Sequence, residues 1–164
     1  MSDVNSLLQT KDEVRTFLDS VGIATRVLTD EEIPNADWGL FADKFEGTQI
    51  NIPLIKQKGK NKVEITMNIN IDETTKQLFT EPTFNLEFDL AVGSLHKVTI
   101  AKPTPQISKI IIFRNLYDDF SGQELIDSME QIVKTIQFLF AFIRKHAKGK
   151  TNLKTSENIT QGTG

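Results

Sequence analysis

His96, His146 and the adjacent acids Asp118 and Asp119 are the groups whose type and position invite a chemical reading. An imidazole or a carboxylate pair can shuttle protons or hold a cation, but only where the groups converge on one point. His96 borders a predicted strand and His146 ends the last predicted helix, with no H-x-x-x-H or carboxylate-histidine spacing to build a metal site. His146 sits where a cation complements a helix dipole, and acids just ahead of a helix, or Asp37 beside Trp38, need no catalysis to explain them. Neighbouring residues such as Asp118 and Asp119 seldom point at one atom. The chain has no cysteine, which removes thiolate metal sites, disulfides and cysteine nucleophiles. The glycine signatures of phosphate loops, dinucleotide turns and nucleophile elbows are also missing. The expectation is therefore a non-enzymatic chain with no cofactor and no metal.

Two lysine-rich stretches could contact phosphates: Lys56, Lys58, Lys60 and Lys62 around Gly59, and Arg144, Lys145, Lys148, Lys150 and Lys154 near the C-terminal end. Neither interleaves the aromatics used for single-strand binding, and lysines at a hairpin tip also guard a sheet edge against aggregation. The net charge of −3 and pI near 5.4 argue against a dedicated nucleic-acid surface. Nucleic-acid association through the Lys56 to Lys62 hairpin and basic tail is the alternative reading. Asn158-Ile159-Thr160 matches a glycosylation acceptor, a pattern common by chance.

The element that must organise any site is the stretch Ser121 to Ala147. On a helix, Leu125, Met129, Ile132, Ile136, Leu139 and Ile143 repeat at alternating spacings of four and three, flanked by Ile126, Val133 and Phe140. Burying nine such side chains contributes on the order of 14 to 27 kcal/mol before chain entropy is subtracted. A sheet must cover that stripe. Ser121 with Glu124 marks the start as a capping box. Phe138 and Phe142 lie off the stripe, at angles shared with Asp127, Gln131 and Lys145. Either this end is buried within the monomer, for example beneath the first helix, or the two rings form a candidate protein interface, with a homodimer or a helix-in-groove partner as occupant. Burying both would contribute roughly 3 to 6 kcal/mol, which assists association but does not drive it alone.

Upstream, Thr10 and Glu13 form a first capping box for a helix carrying Val14, Phe17, Leu18 and Val21, ended by Gly22 and extendable to Leu7 and Leu8. Strands follow at Ile23 to Thr29, Trp38 to Ala42 and Ile50 to Leu54, where Pro53 implies a sheet edge or a bulge. VEITMNINI then puts Val63, Ile65, Met67, Ile69 and Ile71 on a dry face and Glu64, Thr66, Asn68 and Asn70 on a wet one. One-sided burial predicts an antiparallel sheet with helices on a single face, a two-layer α+β arrangement. FNLEFDLAV alternates as a strand would, yet Thr80, Glu81 and Pro82 form a plausible helix entry, so both remain open. HKVTIAK and ISKIIIF read as strands, the second inside the sheet. Residues 1–147 read as one domain and 148–164 as a flexible polar tail. No apolar run is long enough to span a bilayer, and the first thirty residues hold no signal-like core, so a cytoplasmic location is expected.

The stretches IPNADWGLFAD, KNKVEITMNI and IIIFRNLYDDFSGQELIDSMEQIV resemble an uncharacterised family of prokaryotic, often archaeal, proteins with a type III secretion chaperone-like fold. The resemblance spans most of residues 10 to 147. It implies a helix over about Glu81 to Leu95, and hence the order α-β-β-β-β-α-β-β-α. Chaperones of this fold are small, acidic, dimeric and cytoplasmic and bind extended segments of client proteins. The resemblance thus implies a protein-binding, chaperone-like adaptor, and no client-binding residue transfers by motif.

Overall fold

Why the strands of this chain stop and start where they do is visible in a computed structural model that describes residues 4–45, 48, 50–95, 97–147 and 153–157. The order is β1 (Leu7–Leu8), α1 (Lys11–Ser20), β2 (Thr25–Val27), β3 (Ala36–Ala42), β4 (Ile52–Gln57) and β5 (Lys62–Asn70). Then come α2 (Glu73–Leu78), α3 (Pro82–Val92), β6 (Thr99–Ala101), β7 (Lys109–Tyr117), β8 (Phe120–Ser121), α4 (Gly122–Ala147) and β9 (Lys154–Glu157). The main sheet runs β2-β3-β4-β5-β7-β6, antiparallel throughout, with β9 antiparallel to β5. This is the expected α+β class. Compared with the expected order, the chain adds β1, α2, β8 and β9.

One apolar core joins the sheet to the helices. Leu40, Leu54, Ile65, Met67, Ile69, Ile110 and Ile112 face Val14, Phe17 and Leu18 of α1, Phe84 and Phe88 of α3, and the Leu125 to Ile143 stripe of α4. All six residues of that stripe are buried, as the spacing requires. A smaller cluster of Leu28, Ile33 and Ile55 lies on the opposite face, where the 28–33 turn folds over Gly39. A Cβ at Gly39 would stand 2.6 Å from Ile33 Cδ1, so glycine is what lets the turn close. The expected dry face of β5 is buried, but Thr66 and Asn68 on its other face are buried too, at 7% and 5% exposure. β5 is a central strand here, with Asn68 in register with Ile111 of β7 on one side and Ser156 of β9 on the other. Thr66 donates to Glu64 at 3.0 Å, whereas Asn68 Oδ1 finds no partner among the described residues.

The first capping box forms as expected. The Glu13 N–H donates to Thr10 Oγ1 at 3.2 Å, and the Thr10 N–H to Glu13 Oε1 at 3.0 Å. Leu7 and Leu8 do not extend that helix; they form β1 against Phe120 and Ser121. The pairing has a use, because the Gly122 and Gln123 N–H groups donate to the Ser6 and Val4 carbonyls at 3.2 and 2.8 Å. With the Glu124 N–H on Ser121 Oγ, donors that a helix start leaves without intrahelical partners are satisfied. Pro53 lies at a local sheet edge of an inner strand, as one of the two expectations had it, and not at a bulge. β4 pairs with β5 through Ile55–Glu64 and Lys56–Val63 and then diverges, so Pro53 falls where no β5 neighbour needs its missing N–H.

The ambiguous middle segment is helical. Pro82 takes the first helical position after Glu81, where a fixed φ and an absent N–H do no harm. Residues 153–157, expected within a structureless tail, include Leu153, 8% exposed in the core, and strand β9. Polar residues without a period carry no local strand signal; the vacant edge of β5 supplies the partner. The rest of the 148–164 stretch lies outside the described residues.

Candidate functional site

The two phenylalanines that the α4 stripe leaves over have different fates. Phe142 is half-buried and packs against α3, its ring centroid 5.7 Å from Phe84 and 5.9 Å from Phe88. Phe79, from the end of α2, closes the cluster edge-on to Phe84 and Phe88 at 4.9 and 5.0 Å. The cover for this end of α4 is thus α3 and not the first helix. Phe138 stacks on Phe142 at 6.2 Å but keeps 38% of its surface exposed.

What α3 does follows from its sequence. Residues alternating apolar and polar along a strand share one face, but at 100° per residue the same alternation sends Phe84 and Phe88 to one side and Leu86 and Leu90 to the other. Phe84 and Phe88 enter the core, and Leu86 and Leu90 stand 62% and 70% exposed. The polar residues between them hold the flanks. On one side Lys102 Nζ donates to Asp89 at 3.0 Å and to Asn85 Oδ1 at 3.4 Å, while the Asn85 amide donates to the Phe79 carbonyl. On the other, Glu87 meets His146 Nε2 at 2.6 Å. Helix α3 is therefore pinned on three sides and presents two leucines outward on the fourth. Leu86 and Leu90 are not legible as an exposed row in the sequence, because the same alternation of apolar and polar residues suits a strand.

His146 is a structural residue in this arrangement. Its Nδ1 faces the Phe142 carbonyl at 2.9 Å, within the last turn where a cation is favoured. Asp118 and Asp119 diverge: Asp118 pairs with Lys56 at 2.6 Å, and Asp119 accepts from Gln9 Nε2 at 2.9 Å. Asp119 turns the chain at φ 67°, as short polar residues do. Among the described residues, no group of three His, Asp or Glu side chains could hold a metal ion, and His96 lies outside them. Among the described residues lining a cleft of about 530 Å³ between α2 and the 103–105 loop, the cation is Lys76, whose Nζ donates to the Pro105 carbonyl at 2.8 Å and to Ser108 Oγ at 3.1 Å.

The Lys56 to Lys62 hairpin turns at Gly59, φ 74°. Lys56 is 15% exposed and committed to Asp118. Lys62 pairs in register with Tyr117, which is 68% exposed. The aromatic neighbour missing from the local sequence comes from β7, a strand far along the chain. Arg114, on the core face of β7, donates to Ser128 Oγ at 2.7 Å. Burial lowers its pKa, and the carboxylates of Asp127 and Glu124 oppose that shift.

No family model and no curated protein matches the sequence. The fold is similar to that of the crystal structure of an uncharacterized protein from Methanothermobacter thermautotrophicus, at 14% identity and a TM-score of 0.65, covering 82% of this chain and 96% of that one. The likeness shows a fold shared with an archaeal protein. No helix among the described residues is long and apolar enough to cross a membrane.

Proposed function

We propose that the chain is a non-enzymatic protein-binding module, a chaperone-like adaptor working in the cytoplasm. It holds a protein partner against α3 and the neighbouring end of α4, and associates with a second copy of itself. The single observation that carries this reading is the outward row Leu86 and Leu90 on a helix otherwise pinned on three sides. Exposed leucines on a rigid helix are the anchor geometry of helix-in-groove recognition, and Phe138 adds apolar surface on α4. The expected type III secretion chaperone-like fold fits the same role by analogy of architecture. The test compares the full chain with Leu86→Asp/Leu90→Asp and with Phe138→Ser after cross-linking in native lysate. A stoichiometric partner on the parent chain, lost from the double variant while thermal unfolding is unchanged, is expected. No stoichiometric partner, or equal capture by both, overturns the reading.

Tyr117 beside Lys62 favours a second reading, single-stranded nucleic acid on the Lys56 to Lys62 hairpin. It requires binding to a labelled oligonucleotide that weakens steeply with salt and falls in Tyr117→Ala. Absence of binding at low salt removes it.

A further inference from the structure

The sheet has a fork in its middle. β4 and β5 pair at Ile55–Glu64 and Lys56–Val63, beside their hairpin, and then part. From Met67 to Asn70 the vacated side of β5 is occupied by β9, in the register Met67–Glu157, Asn68–Ser156, Ile69–Thr155 and Asn70–Lys154. Without β9 a central strand would present bare N–H and C=O groups beside Met67 and Ile69, both fully buried. Such an edge is a template for another strand. The occupant is short and polar, and what it offers is main-chain pairing plus one apolar anchor, Leu153.

We propose that this edge of β5 is a strand-acceptor site and that, when two copies associate, each receives the β9 of the other. The occupant is a second copy because, among the described residues, Leu153 to Glu157 is the segment that fills the slot, and an identical chain supplies it unchanged. Exchange preserves the β9 pairing with β5, so association is opposed mainly by lost rigid-body freedom. The connection from Ala147 to Leu153 reaches at most roughly 20 Å, so the copies must meet near the C-terminal end of α4. That end carries exposed Phe138, which gives the contact apolar surface beyond the exchanged strand. This inference deepens the protein-binding reading by naming its self-partner and does not depend on Leu86 or Leu90.

The chain has no cysteine, which permits a direct trap. Asn70 and Lys154 are Cα partners across the β5–β9 pair, a separation that a disulfide can span. Full-length chains carrying only Asn70→Cys are mixed with chains carrying only Lys154→Cys, equilibrated and oxidised. The expected product is a covalent heterodimer whose yield rises with concentration and is lost when Leu153→Asp is added to the Lys154→Cys chain. The double variant Asn70→Cys/Lys154→Cys reports the same pairing within or between chains. If it closes only within one chain at every concentration and the mixture gives no heterodimer, exchange is overturned. If neither arm cross-links, the acceptor site itself is overturned. A heterodimer without a captured foreign partner leaves exchange standing and removes the adaptor reading; the converse removes exchange alone.

Discussion

His146 Nε2 lies 2.6 Å from a carboxylate oxygen of Glu87, so one imidazole joins the last turn of α4 to the flank of α3. The other ring nitrogen, Nδ1, faces the Phe142 carbonyl at 2.9 Å. Both neighbours are acceptors. A neutral ring carries one N–H and serves one of them; the imidazolium donates to both. This pairing, with Lys102 on the opposite flank, fixes which side of α3 meets solvent.

Removing that tie by Glu87→Ala is expected to cost about 0.5 to 1 kcal/mol, the range for a hydrogen bond at a partly exposed site. The loss is concentrated in α3. Hydrogen exchange resolved by residue should show faster exchange over Pro82–Val92, with the β5 and β7 amides unchanged.

The two leftover phenylalanines should separate cleanly. Phe142→Ala removes a ring packed against Phe84 and Phe88 and is expected to destabilise by about 2 to 4 kcal/mol, near the low end for a buried phenylalanine because the site is half-buried. Phe138→Ser should cost no more than about 0.5 kcal/mol, as at an exposed position. Urea unfolding midpoints at constant slope decide it; equal losses would mean that both rings belong to the core.

Gly122 opens α4 directly against Phe17. A Cβ there would stand 2.4 Å from Phe17 Cε1, so Gly122→Ala must displace the ring or the helix start. The expected cost is about 1 to 3 kcal/mol, the range for overpacking. A lower thermal midpoint that Gly122→Ala/Phe17→Leu partly recovers would identify the clash as the cause.

Glu32 gives the pH response of the second apolar cluster. Its pKa is held below the ordinary 4.5, first by hydrogen bonding from Arg26 and then by the Thr29 backbone. A lowered folded value contributes stability that is present above the unfolded pKa and lost as pH falls through the folded one. The methyl signals of Leu28 and Ile33, on the turn that Glu32 holds, should therefore shift only below about pH 4.5. In Glu32→Gln that acid transition should vanish.

Much of the architecture was legible in local pattern. The stripe of α4, the dry face of β5 and the Thr10 capping box follow fixed spacings and are realised where the spacing puts them, whereas the expected wet face of β5 is covered at Thr66 and Asn68. The exposed face of α3 was hidden because an alternation of Phe84, Leu86, Phe88 and Leu90 satisfies a strand and a two-faced helix equally. The place of Tyr117 beside Lys62 was invisible because it depends on the register of two strands distant in sequence.

By itself, the sequence determined which residues seek burial and at what period, since that depends on side-chain chemistry and backbone geometry within a few residues. The tertiary structure decided who covers whom: α3 over Phe142, Ser6 and Val4 at the start of α4, and β9 in the fork between β4 and β5. Apolar surface and open strand edges are non-directional demands that several partners could meet, and only the closing of the whole chain selects among them.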